Sequence, residues 1–189
     1  MSLQNKQPES KQLLAKYWAT GKKFHAKTSS FIKKYNNKII VIKYGGYALT
    51  KPALLKSFAK NISLLNQLGI KVIVVHGGGP QIEKELKKRK INNEEYQGLR
   101  VTTKSVLGVV KRILSHDLNK LISDEIKKNG GKTKRLNGVS TKVLKAKIAM
   151  NGNIGFVGEP RGIDKNIIMK ALKSNHIPII APLGVDANN

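Results

Sequence analysis

From Lys38 onward the chain alternates short β-branched apolar runs with stretches whose apolar residues recur at helical spacing, the two periods that separate strand from helix. The pattern predicts a strand over Lys38–Tyr44, a helix over Leu54–Leu68 that stops at Gly69, and a second strand over Lys71–His76. A helix over Gln81–Lys90 follows the run Gly77-Gly78-Gly79-Pro80, with proline in its first turn. Farther on, the spacing predicts one long helix over Ser105–Asn129 capped by Gly130-Gly131, then a strand over Thr133–Leu136. Lys142–Met150 and Ile154–Glu159 read as a hairpin joined through Asn151-Gly152-Asn153, Lys165–Ser174 as a helix and Ile177–Ala181 as a strand. Strands separated by helices imply an α/β fold with a mostly parallel sheet and flanking helices. No internal repeat is visible. The segment Pro182 to Asn189 lies just past a buried-looking strand, and predicts an incomplete unit or a missing second domain.

Before Lys38 the pattern differs. Leu13, Leu14, Tyr17, Trp18, Gly21, Phe24 and His25 recur at helical spacing, and after Thr28-Ser29-Ser30 the apolar face resumes with Phe31, Ile32 and Tyr35. This predicts two helical pieces with a kink, so residues 1–37 form an arm and residues 38–189 the α/β domain. Residues 1–38 hold nine Lys against Glu9, +8 of the whole charge. A basic, acid-poor start is also the pattern of an organelle leader. Two locations therefore stand open: the cytoplasm, or an organelle if residues 1–30 are a transit peptide.

The 189 residues carry 36 Lys plus Arg against 11 Asp plus Glu, a formal charge of +25. With 40% hydrophobic residues and 17 Gly, the composition is that of a globular chain with enough apolar mass for a core. Zero cysteines exclude a disulfide framework, a thiolate metal site and thiol catalysis. No apolar run approaches the ~18 residues of a membrane span. Only five of the basic residues are Arg (Arg89, Arg100, Arg112, Arg135, Arg161), whereas readers of nucleic acid lean on the planar guanidinium. The scattered lysines fit nucleotide bias in the coding sequence better than non-specific attraction to nucleic acid or membrane, or steering of acidic substrates.

Candidate chemistry concentrates in two glycine turns that each follow a strand. In Val41-Ile42-Lys43-Tyr44-Gly45-Gly46 a lysine sits at the strand end with two glycines after it; in Val74-Val75-His76-Gly77-Gly78-Gly79-Pro80 three glycines lead into a helix. Glycine lets backbone approach an anion closely, and ligands of α/β sheets bind outside the carboxyl ends of strands. Both turns are therefore expected at one edge of the sheet. Gly130-Gly131-Lys132-Thr133 resembles the end of a P-loop, but Ile126 replaces the first glycine and the strand and helix come in the wrong order; it reads as a helix cap. No G-x-G-x-x-G follows either strand, which argues against a dinucleotide site. His25, His76, His116 and His176 lack metal-ligand spacing, Ser140 and Thr141 lack a nucleophile context, and His76 reads as an anchor for its turn. Arg100, in Gln97-Gly98-Leu99-Arg100-Val101-Thr102, follows a polar loop.

Taken in order, Val41–Gly46, Leu64 through Gly69-Ile70 to His76–Ile82, Gly98–Thr102, Asn119-Lys120, Gly130-Gly131, Val157-Gly158-Glu159 and Ile177–Gly184 resemble the N-acetylglutamate kinase branch of the amino-acid kinase family. The resemblance runs from about Phe31 to Val185. It implies transfer of the γ-phosphoryl group of ATP, with Mg2+, onto the side-chain carboxylate of N-acetyl-L-glutamate, a step of arginine biosynthesis. It implies that Lys43 neutralises the transferred group and that Gly45 and Gly46 donate backbone N–H groups to it. Gly78 and Gly79 would bind the acyl-amino acid, and Arg100 would pair with its α-carboxylate. These parts suit phosphoryl transfer, which needs positioning and positive charge rather than a covalent nucleophile; no protein-held metal is implied.

The resemblance also implies a homo-oligomer, a dimer through the α/β body and a higher order through the arm, with no nucleic-acid or membrane partner. The branch continues into an Asn-x-Asn-Ala-Asp segment and a nucleotide-binding half with a second catalytic Lys, none of which occurs in these residues. Tyr47 stands where the branch usually has Asn, and Gly138-Val139-Ser140 replaces Gly-Lys-Asp. Activity of the isolated chain is therefore not expected. The competing readings are a catalytically dead substrate-binding or assembly module and a basic nucleic-acid-binding protein.

Overall fold

A computed structural model describes residues 26–92 and 94–186. Helix α1 (Ala26–Tyr35) leads into β1 (Ile39–Tyr44), a 3-10 turn (Ala48–Thr50), α2 (Pro52–Gln67), β2 (Lys71–His76) and α3 (Gly79–Lys88). A small hairpin, β3 (Glu95–Tyr96) and β4 (Leu99–Arg100), precedes α4 (Lys104–Arg112), a π-helical stretch (Ile113–Leu118) and α5 (Asn119–Lys128). Then come β5 (Thr133–Leu136), the single turn α6 (Gly138–Thr141), β6 (Leu144–Ile148), a 3-10 turn (Met150–Gly152), β7 (Gly158–Ile163), α7 (Lys165–Lys173), β8 (Ile177–Ile180) and β9 (Val185–Asp186).

The main sheet has the order β1-β2-β8-β5 with every pairing parallel, as the alternation of apolar runs and helices requires. The central strands β2 and β8 bury both faces, so they read as continuous apolar runs. On one face Val72, Val74, Ile177 and Ile179 meet Ile62 of α2 and Ile122 and Ile126 of α5. On the other, Ile73 and Leu136 meet Ile168 and Leu172 of α7. Strand β1 lies at the edge; Ile40, Ile42 and Tyr44 face the first core, whereas Ile39, Val41 and Lys43 are exposed. Tyr44 stacks on Phe58 of α2, ring centroids 3.9 Å apart, which ties the end of β1 to that helix.

Helix stops follow one device. Gly69 (φ 84) and Gly130 (φ 81) take the left-handed conformation after α2 and α5, and the next residues, Ile70 and Gly131, donate back to Leu65 O and Ile126 O at 3.1 Å. Gly130-Gly131 is thus a cap ahead of β5 and no phosphate loop. Lys90 (φ 53) and Asn175 (φ 54) do the same after α3 and α7 without glycine. Helix α7 starts on Asp164, whose carboxylate accepts from the N–H groups of Asn166 and Ile167.

Four expectations need correction. The long helix is interrupted by the π-helical Ile113–Leu118. Leu114, Leu118, Ile122 and Ile126 recur at a spacing of four, and in a regular α-helix each such step rotates about 40° further round the axis. A wide turn absorbs that drift and keeps the apolar row on the sheet. The hairpin's second strand is Gly158–Ile163, because Ile154–Phe156 instead pairs with Thr102: Thr102 N donates to Ile154 O at 3.0 Å and Phe156 N to Thr102 O at 2.8 Å. The polar loop before Arg100 is a hairpin, with Gln97 (φ 52) and Gly98 (φ 74) forming its two-residue turn. Helix α1 runs through Thr28–Ser30, so no kink falls there; the first helical piece and its apolar stripe lie outside the described residues. A separate three-stranded sheet has the order β7-β6-β9. Among the described residues no helix is long and apolar enough to cross a membrane.

Candidate functional site

Tyr44 and His76 are register partners at the ends of the parallel neighbours β1 and β2, so both glycine turns leave the sheet side by side at its carboxyl edge. Gly77 N donates to Tyr44 O at 3.0 Å. A Cβ added to Gly46 would stand 2.9 Å from Gly78 N, and one on Gly78 would stand 2.6 Å from Leu118 Cδ1 and 2.7 Å from Leu114 Cδ2. A Cβ on Gly45 or Gly79 would meet nothing within 4 Å. The four glycines thus divide by pairs. Gly46 and Gly78 let the turns pack on each other and on the π-helical leucines, while Gly45 and Gly79 border open space. Gly79 opens α3, and at a helix amino terminus unpaired N–H groups and the helix dipole favour an anion. Gln81 adds a brace, its Nε2 donating to Gly46 O at 3.0 Å while its Oε1 is buried without a hydrogen-bond partner.

His76 and Asn119 are both buried, each 1% exposed. Asn119 Nδ2 lies 3.2 Å from His76 Nε2 and donates to Ile179 O of β8 at 3.0 Å, and His76 Nδ1 lies 3.1 Å from Gly77 O. Burial holds the imidazole below its ordinary pKa, and the contact with Gly77 O offsets this only in part. His76 is therefore an anchor of the turn, as its sequence position indicates, and a neutral one.

Lys43 is exposed at the end of β1, on the side of the sheet opposite Tyr44 and His76. Arg100 is carried on β4 and pairs through Nη2 with Glu83 of α3. Its Nε, on the same edge of the guanidinium as Nη2, is buried without a hydrogen-bond partner, so Glu83 engages that edge through one donor only. The hairpin thereby fixes Arg100 to the helix that begins at Gly79. Thr102, two residues on, lines a cavity of about 830 Å³ between α4, the β6-β7 hairpin and the loop after β8. Its walls include Leu107, Val110, Phe156 and Leu183, and Lys111 and Lys147 also line it, which suits an anion with an apolar body.

The amino acid kinase family model matches residues 38–189. This chain belongs to the amino acid kinase family. Acetylglutamate kinases are among its relatives: that of Psychrobacter cryohalolentis is 40% identical over 167 residues, covering 82% of this chain and 56% of the relative. That of Campylobacter curvus is 40% identical over 156 residues, with the same two coverages. The chain thus spans little more than half the length of these curated relatives. Among solved structures, smu.665 of Streptococcus mutans superposes with a TM-score of 0.69 at 29% identity, over 80% of this chain and 61% of that one. N-acetylglutamate synthase of Neisseria gonorrhoeae, complexed with coenzyme A and N-acetyl-glutamate, superposes with a TM-score of 0.71 at 20% identity, over 85% and 37%; this likeness shows the fold alone.

Within this amino acid kinase chain, three polar residues of the site received no role from the sequence, although Gln81 and Asn119 lie in segments that carry the family resemblance. Gln81 and Glu83 sit in the first turns of α3, where helical position alone does not show which side faces Gly46 or Arg100. Asn119 reads as one more residue of a long helix until the π-helical stretch directs it to His76. Among the described residues no group of three His, Asp or Glu is placed to hold a metal ion.

Proposed function

We propose that this chain is the acyl-amino-acid-binding portion of an acetylglutamate kinase, which transfers the γ-phosphoryl group of ATP to the side-chain carboxylate of N-acetyl-L-glutamate. The observation that carries this reading is the packing of Gly46 on Gly78, which sets two anion-accepting turns edge to edge, one for a phosphoryl group and one for the carboxylate it joins. The 40% identity to enzymes of that name supports the choice of substrate. Gly79 is the first residue of α3, Arg100 presents a partly exposed guanidinium to an α-carboxylate, and the apolar cavity beside Thr102 accommodates an acyl group.

When bound, ATP with Mg2+ supplies the transferable group and neutralises its charge. Lys43 and the N–H groups of Gly45 and Gly46 would receive the γ-phosphate, and Gly45 leaves room for it. Mg2+ would arrive with the nucleotide. A cytoplasmic location and assembly into a homo-oligomer, with residues 1–37 as a joining arm, belong to the same proposal. The chain alone is expected to bind N-acetyl-L-glutamate weakly and not to phosphorylate it. Calorimetry on the wild-type chain and Arg100→Ala tests this: measurable binding lost in the variant supports the reading, and equal affinity removes Arg100 from the site.

A further inference from the structure

We propose that His76 and Asn119 are positioning residues that set the direction of the N–H groups in the Gly77-Gly78-Gly79 turn. The ligand part of this inference rests on the acyl-amino-acid reading; the geometric part does not. An amide NH2 carries only donors, so the 3.2 Å contact from Asn119 Nδ2 requires the lone pair of His76 on Nε2 and its proton on Nδ1. Nδ1–H then donates to Gly77 O at 3.1 Å. The reverse amide orientation would set Asn119 Oδ1 against the carbonyl oxygen of Ile179, two acceptors facing each other. One tautomer and one amide orientation are therefore selected together.

The consequence falls on the turn. Gly77 is held on both sides, its N–H by Tyr44 O at 3.0 Å and its carbonyl by the imidazole. Gly78 rests on Leu114 and Leu118, which belong to the π-helical stretch that ends immediately before Asn119. The same wide turn thus supplies the floor under Gly78 and the amide that orients His76. Only Gly79, the first residue of α3, is left facing open space. Asn119 Oδ1 is buried without a hydrogen-bond partner, a cost that an apolar residue would avoid; the amide is kept for what its NH2 group orients.

Long-range 1H–15N spectra of the histidines in the full chain, with amide exchange at Gly77 and calorimetry with N-acetyl-L-glutamate, test the proposal. The expected wild-type result is a single Nδ1–H tautomer for His76. In Asn119→Leu the tautomer is no longer single, exchange at Gly77, whose N–H is bonded to Tyr44 O, rises at least about tenfold, and affinity falls by a similar factor. Ile168→Ala, a truncation in the core on the opposite face of the sheet, leaves tautomer, glycine exchange and affinity unchanged. If Asn119→Leu fails to fold, Asn119→Asp takes its place, since it keeps the shape and loses the donor. An Nε2–H tautomer in the wild type, or unchanged glycine exchange in a folded Asn119 variant, overturns the proposal. Absence of wild-type binding alongside the expected tautomer and exchange results supports the geometric role and refutes the ligand.

Discussion

Gly46 and Gly78 pack backbone on backbone: a Cβ on Gly46 would stand 2.9 Å from Gly78 N, 3.0 Å from Gly78 Cα and 3.0 Å from Gly79 N. Main chain cannot give way as a flexible side chain can. Gly46→Ala is expected to destabilise the fold by about 1–3 kcal/mol, the range for overpacking, measured by urea denaturation. Gly45→Ala, whose methyl would enter open space, should leave stability within about 0.5 kcal/mol.

Glu83 occupies one side of the Arg100 guanidinium, so a carboxylate ligand must share or displace it. Glu83→Gln removes the negative charge and keeps the shape. Its affinity for N-acetyl-L-glutamate in calorimetry is expected to rise about threefold to tenfold, the gain of a charge-assisted pair no longer contested. An unchanged or weaker affinity would show that Glu83 orients Arg100 instead of competing for it.

Burial lowers the pKa of His76 from its ordinary value of 6.5, which gives stability a pH dependence of known sign. The unfolded chain binds a proton at this residue below about pH 6.5 that the folded chain refuses. The stabilisation from a neutral His76 is therefore complete above that value and is lost as pH falls from it towards the lower folded pKa. The slope contributed is at most about 1.4 kcal/mol per pH unit. In His76→Gln this component should vanish from urea midpoints measured between about pH 6.5 and 5, although the variant is less stable at pH 8.

Lys90 ends α3 in the left-handed region at φ 53, exposed, and Ile91 N donates to Leu86 O at 3.0 Å across it. A side chain there is strained and glycine is not. Lys90→Gly should raise stability by about 1 kcal/mol, seen as a higher melting temperature with unchanged circular dichroism. A lower melting temperature would mean that the lysine makes a compensating contact.

Leu13, Leu14, Tyr17, Trp18 and Phe24 recur at helical spacing in the sequence, which predicts an apolar stripe, and such stripes most often mark a partner surface. Deleting residues 1–25 leaves α1 whole. The deleted chain should sediment as a smaller species, at most a dimer, with its α/β circular dichroism signal retained. Equal sedimentation of both chains would remove the arm from assembly.

What the sequence determined by itself was local. Apolar runs of strand length located β1, β2 and β8 to within one residue at each end, because the central strands β2 and β8 are buried on both faces and need apolar residues at nearly every position. Gly69 and Gly130 marked two helix ends, because only glycine adopts positive φ without strain. Parallel β1 and β2 then carried both glycine turns to one edge. Tertiary structure decided the rest. Which glycines face a neighbour and which face open space depends on the distance between two turns more than thirty residues apart in the chain. Asn119 reaches His76 across 43 positions, through a π-helical turn that α-helical periodicity does not register. Glu83 and Arg100 meet because a two-residue turn at Gln97-Gly98 sets β4 against α3. Periodicity records which side of an element is buried; only packing decides which polar groups are then left facing one another.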